Sequence, residues 1–246
     1  RCSRTALADH QRDRTNLQEE TGMYYKTVQD DTVAGLPLAI NIFIKLRESI
    51  LRGKLKNEEK LTEQRICNEY NVSRTPVREA FRLLEQEGLI TMIPNRGAFV
   101  TGFSDQDIAD MYDMRKDYEV LAFEGAIKRI TDEELAEIRN SYELMEFYTH
   151  KKEFEKSAEQ NIHFHELIYK ASHNRLLTQI LTSYQYYTKQ LQYSETPHYD
   201  HMDDVLAEHF EMLDSLEKKD PERGAAVVRK HLEASKKRAG YGGFDK

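Results

Sequence analysis

The sequence predicts a mainly α protein in two parts: a smaller N-terminal part of helices closed by a small β-hairpin, and a larger C-terminal all-α helical bundle. Three observations carry this. Apolar residues recur at three- and four-residue spacing along most of the chain from Leu38 onward. Between the two parts the period shortens to β-type runs, "LITMI" and "AFVTGF", around the turn-forming Pro94-Asn95-Arg96-Gly97. Charge is also divided, the net −7 falling as −1 over residues 1–35, +3 over 36–102 and −9 over 103–246. The expected organisation is therefore a peripheral N-terminal arm (1–35), a small basic domain (36–102) and a large acidic helical domain (103–246). With 246 residues, 39% hydrophobic and 32% charged, the chain has enough material for two modest cores.

Each element has a local reason. The arm is polar, lacks a sustained apolar period, and contains Met23 as a possible natural start. Ala39, Ile42, Phe43, Leu46 and Ile50 repeat at helical spacing until Gly53, which makes a first helix. A short second helix runs from about Thr62 to Glu69, with Ile66 and Tyr70 inward. After the turn Asn71-Val72-Ser73, a third helix places Val77, Ala80, Phe81 and Leu84 on one face and ends at Gly88. The hairpin follows. Beyond it, Ser104 with Asp107 and Thr131 with Glu134 have the form of capping boxes, and Asp220 stands before Pro221 at a helix start. About six helices fill this region.

The third helix is basic on the side away from its apolar face. Arg74, Arg78 and Arg82 stand four residues apart and form one stripe. Ser73 or Thr75 is placed to cap the start, and Pro76 lies in the first turn, where its missing N–H costs nothing. Free N–H groups and arginines at a helix start suit phosphates and guanine edges, so the helix is expected to enter a DNA groove, with Arg96 extending the contact from the hairpin turn. The alternative is a solvated face paired with Glu79, Glu85 and Glu87.

The run "VSRTPVREAFRLLEQEGLI" followed by "PNRGAFV" resembles the winged helix-turn-helix of the GntR superfamily of bacterial transcription regulators. The resemblance implies DNA contacts from Ser73, Arg74, Thr75 and Arg78, with Arg96 and Gly97 in the wing. Gln64 stands where some relatives place a contacting arginine. "KLKNEEKLTEQ" departs from the family's Pro-Gly turn before the second helix. One recognition helix spans few base pairs, so a homodimer on a near-palindromic double-stranded operator is expected, acting as a repressor by the resemblance.

In the acidic part three histidines point inward: His165 with Ile168 and Tyr169, His209 with Leu206 and Met212, and His231 with Val227 and Val228. Neutral imidazoles on separate helices of one core suit zinc, nickel or a similar divalent transition metal; the alternative is three hydrogen-bonded core residues. The helical part resembles the FCD-type ligand-binding domain of the FadR-like branch, which implies a metal held by Asn161, His165, His209 and His231. Asn161 replaces the usual aspartate with a weaker neutral donor. Arg115 follows the inward Met111 and Tyr112 by one turn. It is expected either to pair with Glu119 or, as the resemblance supports, to receive the carboxylate of a small organic acid effector.

A metal-dependent enzyme using the three-histidine site is the rival function. Glu166 and Glu208 adjoin ligand histidines but point about 100° away from the ligand face, and "HELIY" lacks the second histidine of a zincin. A helical dimer without ligand is a third reading, suggested by the tyrosine cluster "YQYYTKQLQY". Cys2 and Cys67 have no disulfide or metal spacing. No apolar run approaches a membrane span and no signal-peptide block is present, so no membrane partner and a cytoplasmic location are expected.

Overall fold

The computed structural model describes residues 37–192 and 201–241, with Gln192 described in its backbone alone. The expectations for the arm over 1–35, for Met23 and for Cys2 lie outside the described residues, as does Tyr193 of the tyrosine cluster. The chain divides into two compact units, one up to Gly102 and one from Phe103.

In the first unit, α1 (Leu38–Leu51) buries Ile42, Phe43, Leu46 and Ile50, and the chain leaves it through Gly53 at φ +68°. The strand β1 (Lys60–Leu61) precedes α2 (Glu63–Tyr70), whose first turn is capped by Thr62 accepting from the Arg65 N–H. Helix α3 (Arg74–Gln86) buries Val77, Ala80, Phe81, Leu83 and Leu84. Ser73 occupies the N-cap position with extended backbone, but its hydroxyl makes no capping bond, so the expected side-chain cap from Ser73 is corrected. The C-terminus is closed by Gly88 at φ +72°. Its N–H reaches the Glu85 carbonyl and the Leu89 N–H reaches the Leu84 carbonyl, each at 3.0 Å, which satisfies two end carbonyls in a Schellman motif.

The hairpin pairs β2 (Ile90–Ile93) with β3 (Gly97–Val100) antiparallel, with Ile90 opposite Val100 and Ile93 opposite Gly97. The structure adds a third strand that sequence reading missed: β1 pairs with the other edge of β3, giving the order β1-β3-β2. Two residues are too few to display a period of two, and their partner lies in a distant segment.

Among its described residues the second unit has six helices: α4 (Asp105–Arg129), α5 (Asp132–His150), α6 (Phe154–Ala171), α7 (Arg175–Gln192), α8 (Met202–Glu217) and α9 (Pro221–Arg238). Capping boxes on Ser104 with Asp107 and on Thr131 with Glu134 start α4 and α5, and Asp220 caps α9 ahead of Pro221. Phe123, Met145, Phe164, Leu213, Val228 and Leu232, from five helices, meet in the main core. Gly224 lets α9 approach α4 closely, since a Cβ there would collide with the Phe123 ring.

Candidate functional site

In the first unit the apolar side of α3 is buried, which leaves Arg74, Arg78 and Arg82 exposed on the other side. Arg74 donates to Gln64 Oε1 at 3.2 Å, and Gln64 donates in turn to Asn68 Oδ1 at 2.9 Å. Arg78 donates from Nε to Glu63 Oε1 at 2.7 Å, and Arg82 pairs with Glu79. Ser73, Thr75 and Arg96 are exposed, Gly97 is half-buried, and the Arg96 guanidinium lies 5.6 Å from the Phe99 ring centre. Of the acidic residues considered as partners, Glu79 takes Arg82, Glu85 accepts the Met92 N–H, and Glu87 pairs with the buried Arg47. Exposed pairs such as Arg78 with Glu63 hold weakly against water, so these arginines remain available to a polyanion.

In the second unit His165 on α6, His209 on α8 and His231 on α9 converge, with ligand atoms all within 4.8 Å of one another. All three are buried. His209 Nε2 lies 3.1 Å from His165 Nε2. Outer partners orient the rings. His209 Nδ1 is 2.6 Å from the Val205 carbonyl and His231 Nδ1 is 2.8 Å from Glu208 Oε2. Both partners accept, so both Nδ1 atoms carry hydrogen and both Nε2 lone pairs face inward. His165 Nδ1 is 3.2 Å from Glu119 Oε2 without hydrogen-bond geometry; because His209 Nε2 accepts, the 3.1 Å contact puts the His165 hydrogen on Nε2, and ligation by this ring would require that hydrogen to move to Nδ1, beside Glu119. Burial, reinforced by the neighbouring imidazoles, holds His209 well below the ordinary histidine range. Burial also lowers His231, against the opposing pull of Glu208. Neutral rings with inward lone pairs are what metal ligation requires.

Asn161 precedes His165 by one turn of α6, and its Oδ1 is buried without a hydrogen-bond partner among the described residues. Three imidazoles and an unsatisfied amide oxygen suit a divalent transition metal. Arg115 is buried and donates from Nε to Glu119 Oε1 at 2.6 Å; Tyr169 OH donates to the same oxygen at 2.6 Å. Burial alone would raise the Glu119 carboxyl, but Arg115 and His165 hold it well below the usual range. Burial likewise works to raise Glu208, and hydrogen bonds from His231 and Arg238 bring it down to about 2.

Sequence reading missed these outer partners. Glu119 was visible as an i+4 partner of Arg115 but not as a neighbour of His165. Glu208 stood out as the residue before His209, whereas its contact is His231 on another helix. No spacing along the chain signals either contact.

A helix-turn-helix with a winged hairpin, joined to a helical unit containing a buried imidazole cluster, defines a transcription regulator. Residues 38–100 match the family model described as bacterial regulatory proteins, gntR family, and residues 110–234 match the FCD domain. The chain belongs to this family. An uncharacterized HTH-type transcriptional regulator, YdhC, of Bacillus subtilis is 30% identical over 201 residues, spanning 80% of this chain and 88% of the relative. The gluconate operon transcriptional repressor of the same organism is 30% identical over 54% of each chain. Among solved structures, Escherichia coli McbR/YncC superposes with a TM-score of 0.64 at 19% identity, covering 83% of this chain and 98% of that one. A putative GntR regulator from Rhodococcus sp. RHA1 gives 0.59 at 22% identity, covering 82% and 96%. These likenesses show the same fold. The family consists of regulators rather than enzymes. No helix among the described residues is long and apolar enough to cross a membrane.

Proposed function

We propose that the chain is a metabolite-responsive repressor binding a near-palindromic operator as a homodimer, with residues 36–102 reading DNA and residues 103–246 binding the effector and pairing the subunits. The observation that carries the effector half is the convergence of His165, His209 and His231, with the Nδ1 atoms of His209 and His231 already engaged. With Asn161 they would hold zinc, nickel or a similar divalent ion. Such an ion supplies a Lewis-acidic positive charge for an anionic ligand.

Arg115 spends its Nε on Glu119 and receives the carboxylate of a small organic acid on its Nη groups, orienting the acid toward the imidazoles. Glu119 and Tyr169 keep the guanidinium in place. In the DNA-reading part, Arg74, Arg78 and the start of α3 enter the major groove with Ser73, Thr75 and Gln64, while Arg96 and Gly97 follow the backbone as a wing. Repression is supported by relatives named as operon repressors. The acid acts by binding the DNA-competent and DNA-incompetent arrangements unequally.

Operator titrations at fixed salt, with metal-loaded protein and a panel of organic acids, test this reading. An acid should change operator affinity in the wild type, and Arg115→Ala should keep DNA binding while losing the response. Metal analysis of untagged protein should find near-stoichiometric ion that is lost in His165→Ala and His209→Ala. Wild type and both variants equally metal-free and equally stable would reduce the imidazoles to core residues.

A further inference from the structure

Lys60 belongs to β1, the strand on the far edge of the hairpin, and stands opposite Phe99 of β3. Alternation along β3 turns Ala98 and Val100 into the core and leaves Phe99 half-buried on the outer side of the sheet. From that pairing the Lys60 stem leans toward the hairpin turn, its Cε lying 3.5 Å from where a Cβ on Gly97 would stand. The Lys60 ammonium is 5.9 Å from the Phe99 ring centre, and the Arg96 guanidinium is 5.6 Å from the same centre. One ring thus holds two exposed cations beside the turn.

These cations are held differently from those of α2 and α3. Arg65 pairs with Glu59, Arg78 with Glu63 and Arg82 with Glu79, so a phosphate must compete with a carboxylate for each. Lys60 and Arg96 pair with no carboxylate among the described residues, and the Glu59 side chain next to Lys60 is engaged by Arg65. An aromatic face restrains a cation without cancelling its charge. Backbone phosphates suit such a pair, because the contact is electrostatic, needs no particular base and gains from counterion release. We propose that Lys60 is a further DNA-binding residue, gripping the phosphate backbone beside Arg96, and that Phe99 is the positioning residue for both cations. This rests on the reading above that Arg96 and Gly97 follow the backbone as a wing.

Full-length protein would be titrated by fluorescence anisotropy against two duplexes, one enriched by the wild type from a random-sequence pool and one of unselected mixed sequence, over a salt series. Lys60→Met keeps the stem on Gly97 and removes the ammonium. It should weaken binding to both duplexes by the same factor, roughly threefold or more, and flatten the slope of log affinity on log salt by about one, the loss of a single phosphate contact. Lys60→Arg should restore both. Phe99→Leu should flatten the slope while Phe99→Tyr keeps it, and Lys60→Met should cost less in the Phe99→Leu background than in the wild type. Melting temperatures of all variants separate these effects from unfolding, and Lys60→Gln repeats the test if Met destabilises the sheet. An unchanged slope in both Lys60 variants overturns the proposal, as does a loss confined to the selected duplex, which would mean base reading. Strictly additive Lys60 and Phe99 effects overturn the positioning role of the ring. Arg96→Gln separates the two readings: a flattened slope there with none at Lys60 sinks this proposal alone, whereas unchanged binding in both removes the wing contact with it.

Discussion

His209 and His231 are buried in the protonation state that ligation needs, and this has a cost in acid. Both have folded pKa values below the 6.5 of an exposed histidine, so below that pH the unfolded chain binds more protons than the folded one. Their contribution is fully present above pH 6.5 and is lost as pH falls toward the folded values. Metal-free protein should therefore lose thermal stability on acidification from pH 7 to 5. Added metal should oppose the loss, because it binds only the neutral rings. A flat melting temperature over this range would show that burial leaves both rings unshifted. At Asn161 the amide oxygen is neutral, and Asn161→Asp places a charged donor at the same reach. Zinc affinity measured against a chelator should rise on the order of tenfold, with no comparable gain in Asn161→Ala.

Helix α9 carries His231 and depends on its close approach to α4. Gly224→Ala would push a methyl into the Phe123 ring, and overpacking of this kind costs about 1–3 kcal/mol. The expected result is a lower unfolding midpoint together with weaker metal retention. Loss of stability with full metal retention would mean that α9 relaxes without moving His231. On α3, Arg78 lies on the exposed side; Arg78→Ala should weaken operator binding on the order of 10- to 100-fold at fixed salt while leaving the melting temperature unchanged. Most of these helices were legible in the sequence because their determinants are local. Ser104 and Asp107, Thr131 and Glu134, and Gly88 each act within one turn of the boundary they set. The two-residue β1 was not legible, and neither were the contacts of Glu119 with His165 or Glu208 with His231. These are made by chain folding across distant segments. The inward direction of the three histidines could be read from helical period, but their mutual distances could not.

Across the molecule, the three imidazoles come from three helices, and His165 is 44 residues from His209. A single ion held by all three would act as a crosslink, closing loops that the unfolded chain leaves open. A ligand present at a thousandfold excess over its Kd adds about 4.1 kcal/mol to the folded state. Chelator treatment should therefore accelerate amide hydrogen exchange in α8 and α9 well before α1 to α3 respond, and limited proteolysis should first cut the stripped protein in its C-terminal half. Uniform exchange with and without chelator would mean that the helices are held by their apolar core alone. Where the crosslink governs opening, the ion also governs persistence. A cell short of metal would clear this protein faster, and the amount of regulator would follow metal supply before any effector acts.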